Sequence, residues 1–332
     1  MIKYGTEKHY FFQTAFVYIA VGLQNAYAIP SNECISEVAM TTLFSNFRSI
    51  IKENEPLSSH STMRVGGPAA FAAFPKNGEE LSALIAEARE HKVRYIIVGN
   101  ASNILFADRG FDGLVIFTTA MREVHWDGDS VTAGCGASLT GLSAAATKKG
   151  LSGLEFAFGI PGTIGGAVYM NAGAYGSQIS AVLTESTYLR GTEIFKRTAE
   201  EHQFGYRTSI YRSNEDIILS AKFTLTPKNP EEVALLAEKN MTSRRSKQPL
   251  EYPNAGSVFK RPEGAFPGAL IEQAGLKGFR IGGAEISEKH ANFIVNRGNA
   301  TANDILQLTE FAQKEVFKRF GILLETEIIY IS

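Results

Sequence analysis

The spacing of hydrophobic positions in residues 75–98 predicts a helix followed by a buried strand. The helix is expected to begin near Gly78, because apolar residues recur after it with a period of 3.6 residues. Those positions are Leu81, Leu84, Ile85 and Ala88. Residues 93–98 then form a short, mainly apolar run, which is typical of a strand buried on both faces. Between glycine and aspartate turns, further short strands are expected at 114–118, 125–126 and 131–133.

The middle of the chain combines strand-like and helical patterns. Residues 183–226 show strand-like alternation, interrupted by a turn-rich insert at 204–213. Prolines within 227–230 mark a candidate domain boundary. A helix is predicted over 231–241, and a basic turn is expected to follow it at 244–247.

Three elements are predicted near the C-terminus. Residues 293–295 are apolar and predict a strand. The next helix is expected to have Asn303 as its N-cap and to end at Gly321, since asparagine suits an N-cap and glycine suits the left-handed end of a helix. The last strand is predicted over 323–331.

Composition narrows the class of protein. The 332 residues are enough for two domains, and the net charge of -1 gives no reason to expect binding to nucleic acid or to an anionic membrane. Two cysteines, Cys34 and Cys135, are too few for a disulfide framework or a zinc site. We therefore expect a cytoplasmic, metal-free protein.

The first forty residues indicate something different. Lys3 and Lys8 precede an apolar run at 14–23, and the pattern Ala-Tyr-Ala follows at 26–28, which resembles a secretory signal peptide. The alternative is a spurious upstream extension, with the true start near Met40. Under either interpretation, residues 1–40 are excluded from the predicted fold.

Glycine is concentrated in one part of the chain. Eleven of the 31 glycines lie within residues 134–176, mostly in turns at 159–166 and 171–176. Together with the Gly/Ser/Asn turn at 99–103, which follows a predicted strand, these turns could present backbone N–H groups to the diphosphate of a dinucleotide such as FAD. The alternative is that the glycines form tight turns for reasons of packing.

Several polar residues lie in otherwise apolar surroundings. Arg207, in the segment 204–212, could stabilise an oxyanion, although a surface position is the commoner fate of an arginine. Ser257 follows a glycine and could donate a proton, or could be an ordinary turn serine. Glu325 and Glu327 share one face of the predicted last strand, and the pattern does not choose between them or exclude a solvated chain end.

Basic residues at the end of the predicted helix form another candidate site. Arg244, Arg245 and Lys247 could bind phosphate oxygens. A solvated helix end is the alternative interpretation of the same pattern.

Taken together, these segments resemble the UDP-N-acetylenolpyruvoylglucosamine reductase family, in its second, shorter type, which lacks a long insert. Six stretches resemble the family in the same order along the chain. They are residues 61–67, 98–105, 160–176, 205–212, 254–260 and 324–328.

The resemblance implies a fold and an activity. The fold would be α+β, with a PCMH-type FAD-binding region of two α/β subdomains at 41–228 and a C-terminal α/β domain at 229–332 that binds the UDP-sugar. The protein would be a monomeric, peptidoglycan-synthesising enzyme that uses NADPH and non-covalent FAD to reduce UDP-N-acetylglucosamine enolpyruvate to UDP-N-acetylmuramate. Ser257 would protonate the substrate, while Arg207 and Glu327 would stabilise the enol intermediate, with Glu325 as the alternative carboxylate.

The resemblance also implies binding residues. The residues that would contact FAD are Arg64, Gly99, Asn100, Ala101, Ser102, Asn103, Gly162, Thr163, Gly165, Gly166, Asn171, Gly173 and Ala174. Those that would contact the substrate are Tyr206, Arg244, Lys247, Lys260 and His290.

Two other functions fit the same segments. One is an FAD-dependent oxidase of an alcohol or sugar with the same flavin fold. Many such oxidases carry a histidine beside the first flavin turn, and the turn at 99–103 has none. The other is a flavin-binding or nucleotide-sugar-binding module without catalytic activity.

Overall fold

The computed structural model describes residues 43–332. The predicted leader or extension, including Cys34 and Met40, lies outside the described residues. The α-helices in the described range are α1 Gly78–Glu90, α2 Leu139–Lys148, α3 Ile164–Tyr169, α4 Pro230–Lys247, α5 Pro267–Gln273 and α6 Ala302–Phe320. No helix among these residues is long and apolar enough to cross a bilayer.

Nineteen strands accompany these helices within the described range. In the first half of the chain they are β1 Ile51–Pro56, β2 Pro68–Ala73, β3 Tyr95–Val98, β4 Ile104–Phe106, β5 Phe111–Phe117, β6 Val124–Asp127, β7 Ser130–Gly134 and β8 Leu151–Ser152. In the second half they are β9 Gly173–Ala174, β10 Ser177–Gln178, β11 Leu183–Arg190, β12 Glu193–Thr198, β13 Ile217–Thr224, β14 Thr226–Pro227, β15 Asn254–Ser257, β16 Arg280–Ile281, β17 Ala284–Ile286, β18 Phe293–Asn296 and β19 Ile329–Ile331.

The first sheet has the strand order β1-β2-β5-β3, and its inner strand β5 is buried on both faces. Strand β5 is parallel to β2 and β3, while β1 is antiparallel to β2. Leu114 and Ile116 of β5 join the largest buried cluster, and Val115 and Phe117 join another cluster. The predicted helix is confirmed as α1, whose four periodic apolar residues are all buried. The continuous apolar run before the turn at 99–103 is explained by this double burial.

The second sheet is antiparallel, with the order β12-β11-β13-β7-β6. Helices α2 and α3 belong to the same buried cluster as its core strands. Ser138 caps α2 by accepting the Gly141 N–H, and Thr163 caps α3 by accepting the Gly166 N–H. Strand formation over 183–226 and the irregular insert at 204–213 are both as predicted.

A third sheet, in the order β15-β18-β17-β16, packs with α5 and α6 near the C-terminus. The predicted N-cap of α6 is wrong by two residues. Thr301 is the cap, because its hydroxyl accepts the Asp304 N–H while the Asp304 carboxylate accepts the Thr301 N–H. This reciprocal capping box outweighs the preference for asparagine at position 303. Gly321 ends α6 in the left-handed conformation, as predicted.

Two further predictions are corrected. The basic stretch 244–247 is the last turn of α4 rather than a loop, because the helix continues beyond residue 241 to Lys247. The predicted strand 323–331 is reduced to β19, and residues 321–328 are irregular apart from a bridge between Thr326 and Phe259.

The end of the chain returns to the first half of the fold. Strand β19 pairs in parallel with β4, with Ile329 opposite Ile104. Asp108, just after β4, accepts the backbone N–H groups of Ala302 and Asn303 at 2.7 and 2.9 Å. The carboxylate therefore lies at the positive end of the α6 dipole and ties this helix to the first half of the fold.

We predict that Asp108→Ala lowers the free energy of unfolding by about 1–2 kcal/mol, because two helix N–H groups lose their acceptor. Urea unfolding of the FAD-saturated protein, followed by circular dichroism, measures the change. Asp112→Ala is the matched control, since Asp112 is exposed on β5. Equal stability losses in the two variants would contradict the assigned role of Asp108.

Candidate active site

A cavity of about 1510 Å³ lies where the first two sheets meet the C-terminal third of the chain. Most of the residues predicted to form the site line it. They are Arg64, Gly99, Asn100, Ala101, Ser102, Asn103, Gly162, Thr163, Gly165, Gly166, Gly173, Ala174, Arg207, Arg244, Lys247, Ser257, His290 and Glu327. Three predicted residues do not line it: Asn171, Tyr206 and Lys260.

The turn after β3 leaves backbone donors free at the cavity wall. The N–H groups of Asn100, Ala101 and Ser102 donate to no residue that the structure describes. Ala101 has a φ of 45°, and alternation of backbone conformation at such a turn points successive N–H groups the same way. The Asn100 side chain donates to the Pro161 carbonyl at 2.8 Å. This bond holds the turn at 99–103, the first glycine-containing turn, to the turn at 159–166, the second.

The glycines around the cavity have two different causes. A Cβ on Gly162 would be 3.8 Å from the Ser102 hydroxyl, which leaves room for a ligand. A Cβ on Gly99 would be 2.1 Å from the Thr163 hydroxyl, so this glycine is required by packing between the turns. The prediction that the glycines serve ligand contact is therefore only part of the explanation.

These features fit FAD. The cavity is large enough for a dinucleotide, and free backbone donors at the end of a strand are suited to a diphosphate. The apolar residues Ile96, Phe117 and Ile218 also line the cavity and can face a flat aromatic group. Donors, volume and apolar walls occur in one cavity.

Arg207 and Glu327 form an ion pair beside the turns, between residues that are far apart in the chain. The Arg207 Nε lies 2.6 Å from the Glu327 Oε1, and the Arg207 Nη2 donates to the Gly173 carbonyl at 3.2 Å. Only 22% of the Arg207 side chain and 13% of the Glu327 side chain are exposed. The pair joins residues 120 positions apart and links the glycine-rich segment to the C-terminal segment.

Backbone contacts hold Glu327 in place. The Asn103 side chain donates to the Glu327 carbonyl at 3.0 Å, and the Glu327 N–H donates to the Val258 carbonyl at 2.7 Å. Burial raises the pKa of the Glu327 carboxyl, and the nearby Arg207 and Lys260 charges offset part of this increase. Asn103, predicted as a cofactor contact, uses its side chain for this structural link.

Glu325 lies in a different environment. It is not a cavity residue, 69% of its side chain is exposed, and it pairs with Lys260. The predicted shared strand face is wrong, because residues 321–328 are not a regular strand. The tertiary structure therefore separates two carboxylates that the sequence pattern treated as equivalent.

Ser257 ends β15 at the cavity wall. It is half-buried, and its hydroxyl has no hydrogen-bond partner among residues 43–332. The preceding Gly256 has a φ of 77° and open space at its Cβ position, so the chain turns there without a side chain. The Val258 carbonyl accepts the Glu327 N–H. The backbone segments that carry Ser257 and Glu327 are therefore neighbours at one wall of the cavity.

The remaining predicted substrate residues are spread around the site. Lys247 is exposed at the cavity wall, whereas Arg244 is only 8% exposed. Burial lowers the pKa of the His290 imidazole. Tyr206 is 54% exposed; its ring lies 5.2 Å from the Arg207 guanidinium carbon, and its hydroxyl accepts the Arg261 N–H at 3.2 Å.

Two side chains form hydrogen bonds to the backbone of the Arg207 loop, which is the irregular insert at 204–213. Asn171 is 1% exposed, and its side-chain amide donates to the Gly205 carbonyl at 3.0 Å. Arg212 donates to the Arg207 carbonyl at 3.0 Å. Asn171 thus has a structural partner where the sequence predicted a cofactor contact.

A buried polar network packs against the Arg207 loop, and the sequence pattern did not predict it. The Ser186 hydroxyl contacts the His202 Nε2 at 2.7 Å and the Tyr211 hydroxyl at 2.6 Å. The three side chains are at most 1% exposed. Because the residues come from separate elements and form no local motif, only Tyr211, in the segment 204–212 that also contains Arg207, carried a sequence signal.

Backbone strain is concentrated around the cavity. Half of the ten non-glycine residues with positive φ in the described range belong to the segments that form it. These are Arg64, Ala101, Asn171, Tyr175 and Arg207. Left-handed conformations cost free energy in such residues and persist where the surroundings hold them, which is common at functional sites.

The fold and the site define the class of protein first. Residues 69–196 match the family model described as "FAD binding domain", a range that includes most strands of the first two sheets and the glycine-containing turns at 99–103 and 159–166. With a cavity that fits the cofactor, the chain is an FAD-dependent flavoprotein.

The C-terminal region of the chain, together with the relatives of the whole chain, defines the family. Residues 248–331 match the model of the "UDP-N-acetylenolpyruvoylglucosamine reductase, C-terminal domain". The reductase of that name from Lactiplantibacillus plantarum is 46% identical over 283 residues, 85% of this chain and 94% of the relative. That from Caldicellulosiruptor bescii is 45% identical, over 84% of this chain and 90% of the relative.

A solved structure agrees. The crystal structure of the Thermus caldophilus UDP-N-acetylenolpyruvylglucosamine reductase matches with a TM-score of 0.73 at 33% identity, covering 85% of this chain and 98% of that chain. The chain therefore belongs to the UDP-N-acetylenolpyruvoylglucosamine reductase family. It is an oxidoreductase with an α+β fold, and the family resemblance found in the sequence is confirmed.

The raised pKa of Glu327 generates a prediction about stability and pH. The folded protein binds the carboxyl proton more tightly than the unfolded chain does, so this group's contribution to stability falls as pH rises from the ordinary value of 4.5 through the folded pKa, and is constant above it. Wild type should therefore lose stability relative to Glu327→Gln in that window. Urea unfolding at a series of pH values measures the difference.

Glu325→Gln is the matched control for this measurement. Its carboxylate is exposed and does not line the cavity, so the substitution removes a carboxyl group two residues away without changing the site. The same decline in both comparisons, or an increase with pH for Glu327→Gln, would contradict burial as the dominant effect on Glu327.

Proposed function

We propose that this protein reduces UDP-N-acetylglucosamine enolpyruvate to UDP-N-acetylmuramate with NADPH, in the synthesis of peptidoglycan. The observation that carries the proposal is the half-buried Arg207–Glu327 ion pair, which faces the same cavity as Ser257 and the FAD-binding turns. A fixed cation, a carboxylate and a free hydroxyl at one cavity are what the addition of a hydride to an enolpyruvyl group requires.

Arg207 and Glu327 act on the charge that develops in the substrate. When bound, FAD supplies hydride chemistry, from NADPH to the methylene carbon of the enolpyruvyl group. Negative charge then builds toward the carboxyl-bearing carbon and its carboxylate. The Arg207 guanidinium stabilises that charge in a site with little water, and Glu327 holds the guanidinium in place.

Ser257 delivers the proton. Its hydroxyl has no competing partner among the described residues, so it is free to bond to the substrate. A serine hydroxyl is a poor acid without a neighbour, and the carbon that accumulates negative charge beside it provides the driving force for transfer. Protonation of this carbon completes the reduction.

The rest of the substrate is assigned to residues around the opening. We propose that the exposed Lys247 binds the diphosphate, with Tyr206, Lys260 and His290 near the sugar and the nucleotide. In this proposal residues 41–228 bind FAD and residues 229–332 bind the UDP-sugar, in a cytoplasmic monomer.

One experiment tests the function against its alternatives. The purified protein should be yellow, should release its flavin on denaturation, and should oxidise NADPH over many turnovers only when the enolpyruvyl UDP-sugar is present. Oxidation of an alcohol or sugar without NADPH would indicate the oxidase, and bound flavin with no NADPH oxidation would indicate a binding module. Either of these two results would overturn the proposal.

We predict that Ser257→Ala lowers turnover roughly 10²–10⁴-fold, because the proton donor to carbon is lost. Flavin reduction by NADPH, measured alone by stopped-flow absorbance, should stay near the wild-type rate. Ser246→Ala is the control, since Ser246 is exposed on α4 and does not line the cavity. A loss of flavin reduction in Ser257→Ala would show that its role is misassigned.

We also predict that Glu327→Gln lowers turnover roughly 10²-fold or more, because Arg207 loses its charged partner inside the site. Glu325→Gln should keep turnover within about twofold, because its carboxylate is a solvent-exposed ion-pair partner. Steady-state NADPH oxidation compares the two. The reverse order of effects would assign the role to Glu325.

A further inference from the structure

Arg244 is a buried cation without a protein counter-charge. It is 8% exposed, and its Nε has no hydrogen-bond partner among the described residues. Its Nη1 donates to the neutral Gln248 side chain at 2.9 Å, and no ion pair with a described carboxylate compensates the charge. Arg197 is the other buried arginine among the described residues. Its Nη2 lies 2.7 Å from the Asp216 Oδ2, so its charge is paired.

Such a group is costly unless a ligand completes it. Arginine stays charged at all ordinary pH values, and a buried charge without a partner loses hydration that nothing replaces. Burial lowers the pKa of Arg244, with Tyr175 offsetting part of the change. Because Arg244 lines the cavity, the missing partner is an anionic group bound there.

The position of Arg244 indicates which ligand provides this anion. A Cβ on Gly159 would be 3.2 Å from the Arg244 Cδ, so the side chain packs directly against the second glycine-containing turn. Two residues later, Pro161 is bonded to Asn100 of the first turn, whose neighbouring N–H groups are free. Arg244 therefore lies beside the two turns that fit FAD.

Burial favours the same choice. A substrate leaves after every turnover, which would expose the protein repeatedly to the cost of an unpaired buried charge. A retained cofactor keeps the charge paired throughout. Lys247, one helical turn further on, is exposed at the cavity wall and suits a ligand that exchanges with solvent.

We propose that Arg244 is a cofactor-binding residue that neutralises an anionic group of bound FAD, and not a substrate-binding residue as its sequence context indicated. Two groups have the required chemistry: the diphosphate, and the pyrimidine edge of the isoalloxazine, which is anionic when reduced. The inference rests on FAD binding and not on the proposed reductase steps. Measurements without substrate therefore test it separately from them.

The test compares Arg244→Met with Arg245→Met, its neighbour on α4, which is exposed and pairs with Glu238. The dissociation constant for FAD, from quenching of flavin fluorescence on binding to apoprotein, should rise roughly ten- to a hundredfold in Arg244→Met, as expected for loss of a charge-assisted hydrogen bond. In Arg245→Met it should change by no more than about twofold. At saturating FAD, KM for the UDP-sugar should be unchanged in both variants.

The midpoint potential of the bound flavin distinguishes the two anionic groups. An unchanged potential in Arg244→Met indicates the diphosphate, because both redox states are weakened equally. A more negative potential indicates the pyrimidine edge, since the reduced, anionic flavin then loses more stabilisation than the oxidised flavin does. Either result supports the proposal.

Three outcomes would overturn it. Unchanged FAD affinity with a raised KM for the UDP-sugar would assign Arg244 to substrate binding. An equal loss of FAD affinity in Arg244→Met and Arg245→Met would show that only the overall positive charge of the protein matters. Thermal unfolding of the apoprotein provides the third. Arg244→Met removes an uncompensated charge and should not lower the apoprotein's Tm, while it should reduce the rise in Tm that FAD causes. A lower apoprotein Tm, repeated in Arg244→Lys, would show that the arginine serves the fold.

Discussion

The ion pair between Arg207 and Glu327 is the interaction on which the site depends. Arg207 belongs to a loop beside the glycine-rich segment, and Glu327 belongs to the last irregular stretch before β19. Neither side chain would be stable in this half-buried place without the other, because removing one partner leaves an uncompensated charge. The C-terminal segment must therefore return to the first half of the fold for the site to exist.

Several contacts make that return specific. Strand β19 pairs with β4, the Asn103 side chain and the Val258 carbonyl both hold the Glu327 backbone, and Asp108 accepts the first N–H groups of α6. Arg207 itself has a φ of 56°, a conformation that Arg212 and the Asn171–Gly205 bond support from outside the cavity. Strain at the site is held by ordinary hydrogen bonds around it.

Charge around the cavity is arranged by depth. Arg207 has a protein partner, Lys247 is in contact with solvent, and Arg244 is buried with neither. These three situations suit different ligands: a developing charge, an exchanging substrate and a retained cofactor. Arg244 and Lys247, which the sequence grouped in one basic stretch, lie one turn apart on the same face of α4, but Arg244 is buried and Lys247, the last residue of the helix, is exposed.

From local patterns of apolar periodicity and glycine-rich turns, the sequence predicted the main helices and strands. Through its family resemblance, the sequence also predicted a set of site residues, most of which line the cavity. It misplaced the N-cap of α6, where a reciprocal bond between Thr301 and Asp304 decided the boundary. It also could not distinguish Glu325 from Glu327, or identify Ser186 and His202 beneath the loop. These points depend on burial and pairing between residues that are far apart in the chain, and such contacts exist only once the chain is folded.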